Sequence, residues 1–377
     1  MANTLTNLAA DIYVAAEKVG RQLVGAVPSV MLNAGTEGAA LNQTVRSFTT
    51  SEPTLNTSYS PAMTIPEGDA QTVGNDSITI GQVANVQIPW SGEEIKFVDA
   101  GNGYETILGH QIQRAMSKIT NAIEAHTCDI IRLASTRAYG TAGTTPFGSN
   151  FNDIAEVRQI LVDNGMPDDG EATLLINSAA GTKLRNLAQL QKANENGSDQ
   201  LLRRGTLLDL QGFMMKESAG VKAVTKGTGA SYLLNGALAV GATTVTVDTG
   251  SGTILAGDIV TISNYKYVVK TALSGGSFTI QAPGIREVVA DNTAITVNNN
   301  HTANVGFHRS AVELVVRPPA QPYGGDAAVD RMTVQDPFSG LVYEFAVYKG
   351  YGKAMMDVTA FYQAKVWNPS FVATLLG

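Results

Sequence analysis

The longest helical pattern of the chain is YETILGHQIQRAMSKITNAIEAHTCDIIRLASTR, at residues 104–137. Apolar residues recur there at steps of three and four with one step of seven, which predicts a single amphipathic helix. They are Leu108, Ile112, Ala115, Ile119, Ile123, Ile130 and Leu133. Its other faces carry polar residues, namely Arg114, Lys118, Asn121 and Glu124. At a rise of about 1.5 Å per residue the helix is roughly 50 Å long, so we expect a spine along which other elements pack.

Two segments before the spine helix lack a partner within the chain. Residues 4–24 carry apolar residues at helical spacing, which predicts an amphipathic helix; these are Leu5, Leu8, Ile12, Ala15, Val19 and Leu23. Residues 45–90 are rich in Thr, Ser, Pro and Asn, with short alternating strands toward their end. A segment this polar cannot bury much of itself. We therefore expect an extended loop or hairpin that gains its order from a neighbouring molecule.

Three further patterns follow the spine helix. Alternating helices and strands up to about residue 217 predict an α/β lobe. About 70 residues from Gly227 onward consist of short strands between Gly-rich turns. Their spacing predicts a small barrel or sandwich of five or six strands, inserted into the lobe. Buried strands at 311–317, 341–349 and 354–363 close the chain, and the last two should pack against the spine helix.

The composition favours a covered surface and argues against several classes of protein. The 377 residues are 44% hydrophobic and only 16% charged, with 38 Gly and a net charge of −7. The length predicts two or three structural units. Few charges indicate a surface covered by neighbours, although an ordinary Gly-rich β protein has the same composition. The acidic balance argues against a dedicated nucleic-acid binder, because phosphate contacts need clustered Lys and Arg.

The candidate metal-ligating and catalytic side chains of the chain do not form a recognisable site pattern. The four histidines, His110, His126, His301 and His308, have no metal-ligand spacing. The acidic pairs Glu93-Glu94 and Asp168-Asp169 are more simply explained as solvated surface. The sequence therefore predicts no enzyme activity, no catalytic residue, no metal and no cofactor.

Two features bear on the compartment. Cys128 is the only cysteine, which excludes an intrachain disulfide and favours a reducing cytoplasm; we expect it to be a small buried apolar group. Charged residues interrupt residues 1–25, so this segment is expected to be neither a signal peptide nor a membrane span.

The order of these segments resembles the Johnson fold of tailed-bacteriophage major capsid proteins, which is an α+β fold. In this mapping, residues 1–49 are the N-terminal arm and 50–92 the extended β-hairpin loop. Residues 93–145 are the peripheral domain with the spine helix, 146–228 the α/β axial domain, and 298–377 the closing strands of both domains. The module at 229–297 is similar to the inserted β-barrel domain of coat proteins from the short-tailed Salmonella phage group. Residues 305–311, followed by Pro318-Pro319, resemble the segment after that insertion.

The resemblance implies a major capsid protein that self-assembles, as hexamers and pentamers, into an icosahedral shell around packaged double-stranded DNA. It implies a scaffolding protein and a portal protein as partners, no sequence-specific DNA binding and no membrane. The location it implies is the virion capsid, after synthesis and assembly in the bacterial host cytoplasm. Family members that self-crosslink use a loop lysine, but between residues 19 and 95 this chain has none, so such crosslinking is not expected.

Intersubunit contacts are expected from the arm, the loop and the one basic cluster, which contains Lys183, Arg185, Lys192, Arg203 and Arg204. The cluster suits contact with DNA or scaffolding protein, but salt bridges to an acidic neighbour are the favoured interpretation. The residues expected at contacts are Leu8, Ile12, Val83, Val86, Ile88, Trp90, Arg203 and Arg204.

Two other classes of function remain open. A β-rich phage tail protein or adhesin would use the inserted module to bind a receptor, but this hypothesis does not explain the long spine helix. A hydrolase with an unrecognised site is disfavoured by the scarcity of histidines and of paired acids.

Overall fold

The computed structural model describes residues 23–50, 73–99, 104–191, 207, 209–337 and 339–377, together with positions 53–55, 57, 61, 63–65, 68 and 70. The helix predicted at residues 4–24 lies almost wholly outside the described residues. Among the described residues, no helix is both long and apolar enough to cross a membrane.

The described residues form five α-helices and twenty strands. The helices are α1 (Gly92–Asp99), α2 (Tyr104–Leu133), α3 (Asn152–Asp163), α4 (Ser178–Arg185) and α5 (Ala188–Gln191). The first ten strands are β1 (Met31–Ala34), β2 (Thr44–Thr50), β3 (Val73–Thr79), β4 (Gln82–Ser91), β5 (Arg137–Tyr139), β6 (Ala172–Ile176), β7 (Met214–Glu217), β8 (Ala223–Val224), β9 (Tyr232–Leu234) and β10 (Thr244–Asp248). The other ten are β11 (Ile259–Ile262), β12 (Tyr265–Ser274), β13 (Ser277–Ile280), β14 (Ala294–Val297), β15 (His301–His308), β16 (Val312–Arg317), β17 (Ala328–Gln335), β18 (Val342–Lys349), β19 (Lys353–Val366) and β20 (Val372–Leu376).

The spine helix α2 packs against a six-stranded sheet, here called the spine sheet. Its strand order is β1-β16-β19-β18-β17, with β4 paired to β19 as well. Buried residues of α2 such as Ile112 and Ile119 share one core with Phe345 and Val358 of the sheet. The prediction that the last two strands pack against the spine helix is thus confirmed, because an apolar helix face and an apolar sheet face bury each other.

Strand β4 differs from the sequence-based prediction, which placed residues 50–92 in one extended loop. The strand pairs along its whole length with β19, from Gln82 opposite Tyr362 to Ser91 opposite Lys353. Two-residue alternation turns Ile88 and its same-face neighbours toward α2, where they join the spine core. Burial of this face within the chain holds β4 in the sheet. The hairpin itself is therefore β2, β3 and the residues between them.

The helix α1 and the strand β17 were not predicted from the sequence. Helix α1 begins with a capping box, in which the Ser91 amide donates to Glu94 Oε2 at 2.8 Å and the Glu94 amide donates to Ser91 Oγ at 3.2 Å. Strand β17 reads AVDRMTVQ and has few strongly apolar residues. It forms because it pairs with β18 through most of its length.

The predicted α/β lobe is present. Its strands run in the order β5-β20-β15-β6-β7, and β8 also pairs with β15. The pairs β5–β20 and β6–β7 are parallel. Helices α3 and α4 contribute Val157 and Leu184 to a core that includes Leu174 and Phe213.

Strands β9 to β14 close into a six-stranded antiparallel barrel. Around the barrel the order is β9-β10-β13-β12-β11-β14, and β14 returns to β9. Its core is separate from the other two and includes Leu234, Tyr267, Phe278 and Ile280. Strand β12 also pairs with β5, with Tyr267 opposite Arg137, so the barrel continues the lobe sheet. Of the barrel and the sandwich that the sequence allowed, the structure has the barrel.

Residues 227–298 are expected to fold when expressed alone, because the barrel has its own core and closes its own edges. The ends of the segment are held by the barrel itself, since the Asn298 side chain donates to the Ile259 carbonyl at 3.1 Å and the Gly227 amide donates to Asp258. Circular dichroism should show a β-type spectrum with a cooperative melt. The boundary is a prediction until this measurement is made. A spectrum typical of a disordered chain would contradict it.

Two buried titratable groups lie where the barrel joins the lobe. The Asp258 carboxylate accepts the Leu255 amide at 2.7 Å, and burial raises the pKa of this carboxyl group. His301 is buried, with Nδ1 3.1 Å from the Asn299 carbonyl oxygen. Burial lowers the pKa of His301 below its ordinary value of 6.5, so the ring is held in its neutral form.

Replacement His301→Gln is expected to flatten the loss of stability on acidification. Below pH 6.5, the ordinary pKa of histidine, the unfolded chain binds a proton at His301 while the folded chain does not. The free energy of unfolding therefore decreases as the pH falls from 6.5 toward the lowered pKa of the folded state. The raised pKa of Asp258 makes the opposite contribution to the pH dependence of stability, and Asp258 is present in both wild type and variant. Melting temperatures of wild type and variant, measured from about pH 7.5 to 5, check the slope. Parallel curves would contradict the assignment to His301.

Candidate assembly surfaces

A buried carboxylate of the spine helix holds residues 25–27 of the N-terminal arm. Glu124 is 2% exposed. Its Oε1 accepts the amides of Gly25 at 2.8 Å and Ala26 at 2.7 Å, and its Oε2 accepts the amide of Val27 at 2.9 Å. The Ser218 hydroxyl donates to Oε1 at 2.5 Å. A Cβ atom on Gly25 would lie 2.7 Å from a backbone carbonyl oxygen, so this close approach requires glycine. We call this arrangement the arm clamp.

Cys128 lies beside the arm clamp. Its Sγ is 3.5 Å from Ser218 Oγ. Burial, and secondly the charge of Glu124, raises the pKa of the thiol to about 12, so it stays protonated at neutral pH. The prediction that Cys128 is a small buried apolar group is confirmed.

The β2–β3 hairpin is anchored at its base. Ile78 of β3 and Ile80, which directly follows the strand, are buried. Lys365 Nζ donates to Asp76 at 2.5 Å and lies 4.3 Å from the ring centre of Trp367. This hydrogen bond lowers the pKa of Asp76. The base is therefore held against the end of β19, and the position of the hairpin relative to the spine sheet is defined.

Beyond its base the hairpin exposes large apolar side chains. Leu55 is 84% exposed, Met63 and Ile65 are almost completely exposed, and Val73 is largely exposed. Residues 51–72 contain three acidic residues and neither Lys nor Arg. Several large apolar side chains exposed on one segment indicate a contact surface.

Exposed aromatic side chains gather at one end of the spine sheet. Tyr351 lies in the β18–β19 turn, and Phe97 lies in α1, which follows β4 at the same end. Tyr323 lies a few residues before β17, whose first residue, Ala328, pairs with Tyr348 near that end. Phe97 is 86% exposed, and the two tyrosines are fully exposed. Sequence reasoning missed this aromatic end, because Gly-rich turns and a short helix give no sign of which side chains lack cover.

The contact residues expected on β4 divide into two groups. Ile88 is buried in the spine core and Val86 packs partly against it. Trp90 Nε1 donates to Gln111 Oε1 on α2 at 2.9 Å. These three side chains thus make contacts inside their own chain, because β4 belongs to the spine sheet, and their contact with another subunit stays a prediction. Val83 remains about half exposed, and its contact with another subunit stays a prediction. The other expected contact residues, Leu8, Ile12, Arg203 and Arg204, lie outside the described residues.

An open groove, here called the spine groove, runs between β4 and α2. It is lined by Val86, Gln87, Ile88, Pro89, Gln111, Arg114, Ala115 and Lys118. Among the described strands, β4 pairs only with β19, so the groove follows a free sheet edge. The strand, QVANVQIPWS, has no charged residue. Sheet edges that must not pair with other chains commonly carry lysine or proline. Strand β4 has no lysine, so Pro89 is its only residue of this kind.

One cluster in the described part of the chain has the composition of a metal or catalytic site. Asp169, Glu171 and His308 bring their ligand atoms within 4.8 Å of one another. His308 Nε2 lies 2.8 Å from Asp169 Oδ1, and this hydrogen bond lowers the pKa of Asp169. His308 Nδ1 lies 2.7 Å from Ser310 Oγ and accepts the Ser310 amide at 3.3 Å. Both ring nitrogens thus have partners, and the imidazole caps a short 3₁₀ turn at the end of β15.

No protein-family model matches the chain, and no curated protein matches its sequence. Among solved structures, the chain is similar to one titled "Capsid structure of the Cyanophage P-SCSP1u", with 12% identity and a TM-score of 0.50 over 94% of this chain and 88% of that chain. It is also similar to a protein of Mycobacterium phage Che8, with 14% identity and a TM-score of 0.47 over 88% and 84% of the two chains. We draw only on the first likeness, and at this identity it establishes the fold alone. The chain therefore has the mixed α+β fold of that phage capsid structure.

Proposed function

We propose that this chain is the major capsid protein of a tailed bacteriophage, which assembles with copies of itself into a closed icosahedral shell around double-stranded DNA. The observation that carries the proposal is the β2–β3 hairpin, whose base is anchored while its apolar tip is exposed. The fold shared with a phage capsid structure supports the same role. The role is structural rather than catalytic.

In this proposal, hexamers and pentamers of the chain tile the shell. The lobe surrounds the local axes as the axial domain, and the spine sheet with α2 lies at the periphery. Each hairpin lies across an adjacent subunit, and the N-terminal arm leaves through the arm clamp to reach another one. Exposed apolar residues that cost solubility in a monomer then become buried at interfaces.

The finer assignments are also part of the proposal. The closed barrel supports membership of the group of coat proteins that carry an inserted β-barrel, represented by the short-tailed Salmonella phages. A scaffolding protein and a portal protein are the expected partners. A net charge of −7 suits an inner surface that encloses DNA without sequence-specific binding. The protein would be made and assembled in the bacterial cytoplasm and retained in the virion.

Sedimentation of the purified full-length chain through a sucrose gradient, followed by negative-stain electron microscopy, tests the proposal. We expect a fast-sedimenting fraction that contains closed particles. A chain that stays monomeric at high concentration, and also when co-expressed with a scaffolding protein, would contradict it.

A further inference from the structure

The spine groove has the features of a docking site for another protein segment. Its floor includes the apolar side chains of Val86, Ile88 and Ala115. Arg114 and Lys118 are exposed on its rim, one helical turn apart, and neither forms an ion pair with any described residue. The groove thus offers an apolar strip beside two positive charges, along a sheet edge that carries no charge of its own.

Helix α1 has the complementary features. Glu93 and Phe97 are four residues apart, so they lie on one face of the helix, and both are exposed. Glu94 is engaged in the capping box, which leaves Glu93 as the acidic group available for a new contact. An exposed aromatic side chain of this kind can serve as the apolar anchor of a contact with a partner.

We propose that α1 of one copy docks in the spine groove of a second copy, with Phe97 over the apolar floor and Glu93 facing Arg114 and Lys118. Glu93 and Phe97 are about 6 Å apart along the axis of α1, so the helix presents an acid and an apolar anchor on one face. This inference rests on the proposed function and deepens it by assigning one particular contact between subunits. The contact joins two different surfaces of the same chain, and such contacts form closed rings when the rotation between copies permits.

Charge complementarity supports an acidic segment as the occupant. Two positive charges on the rim call for an acidic partner, and Glu93 supplies the acid beside the apolar anchor Phe97. The hairpin tip is also acidic and apolar, with Glu67 among its acidic residues, so it is the competing occupant that the experiment must distinguish.

The test uses shell yield from the full-length chain. We expect Phe97→Asp, Glu93→Lys and Arg114→Glu each to lower the yield at least about tenfold, since loss of an anchor buried at the interface, or juxtaposition of like charges there, costs that factor or more. The double variant Glu93→Lys/Arg114→Glu restores an opposite-charge pair and should recover to within about threefold of wild type. Val288→Asp, on an exposed apolar residue of the barrel, is the matched control and should form shells normally. Melting temperatures and circular dichroism check that each variant is folded.

The outcomes separate the two proposals. Wild-type shells together with normal shells from Phe97→Asp would overturn this inference and leave the proposed function standing. Failure of the charge swap, combined with recovery by Glu67→Lys/Arg114→Glu, would overturn it in favour of the hairpin as occupant. A wild-type chain that forms no shells under any condition overturns the proposed function and this inference with it.

Discussion

Replacing residues 51–72 by a two-residue Asn-Gly turn is expected to stop shell assembly while the single chain stays folded. Thr50 and Val73 are the last pair of the β2–β3 ladder, so a tight turn can join them directly. The replacement removes Leu55, Met63 and Ile65, which are almost wholly exposed and contribute little to the stability of the monomer. Their contribution belongs to the interface, where a few buried apolar anchors supply most of the binding free energy.

Gradient sedimentation checks the hairpin prediction, and the expected fall in shell yield is at least about tenfold. A gentler variant, with Leu55, Met63 and Ile65 all changed to Ser, keeps the length of the hairpin and should also assemble poorly. The melting temperature of both proteins should match that of wild type. Normal shells from the shortened chain would show that the hairpin is not an assembly element.

Replacement Glu124→Ala is expected to release residues 25–27 of the N-terminal arm from the spine helix. The change leaves the amides of Gly25, Ala26 and Val27 buried without an acceptor. Each unsatisfied buried group costs about 1–3 kcal/mol, so the local loss is about 3 kcal/mol or more. Glu124→Gln should cause an intermediate loss of stability. Its side-chain oxygen still accepts a hydrogen bond, but its NH2 group faces backbone N–H groups that are themselves donors.

Hydrogen–deuterium exchange of the peptide that covers residues 23–30 measures this loss directly. A cost of about 3 kcal/mol corresponds to exchange that is faster by about a hundredfold or more. Glu37→Ala, at an exposed glutamate close to the same segment, is the control and should change stability by less than about 0.5 kcal/mol. Unchanged exchange in Glu124→Ala would mean that the arm clamp does not hold the segment.

Two elements could be predicted from the sequence because their signals are local and repeated. Steps of three and four between apolar residues continue through the whole of α2, and the buried side chains include Ile112, Ile119 and Ile123 as expected. In the barrel, two-residue alternation between Gly-rich turns is sufficient, since each strand pairs with strands in the same 70-residue segment. The predicted helix ran four residues too far, to 137 instead of Leu133, because the chain turns at residues 134–136 and Arg137 begins strand β5.

The features that were missed depend on contacts between distant parts of the chain. The alternation in β4 shows which side chains share a face, but it does not show that β19, about 270 residues later, is the partner. Glu124 accepts hydrogen bonds from backbone amides 97–99 residues away. Every residue type except proline has such an amide, so the sequence does not show which ones are the donors. Only α1 had a local signal, the capping box of Ser91 and Glu94, which could have identified it.

A cryo-electron-microscopy reconstruction of particles formed by the full-length chain tests the central claim most directly. The account predicts a closed shell with five-fold and six-fold clusters, in which the hairpin of each copy lies on an adjacent copy. Helical tubes of tail-like symmetry, or hairpins folded back on their own chains, would contradict it.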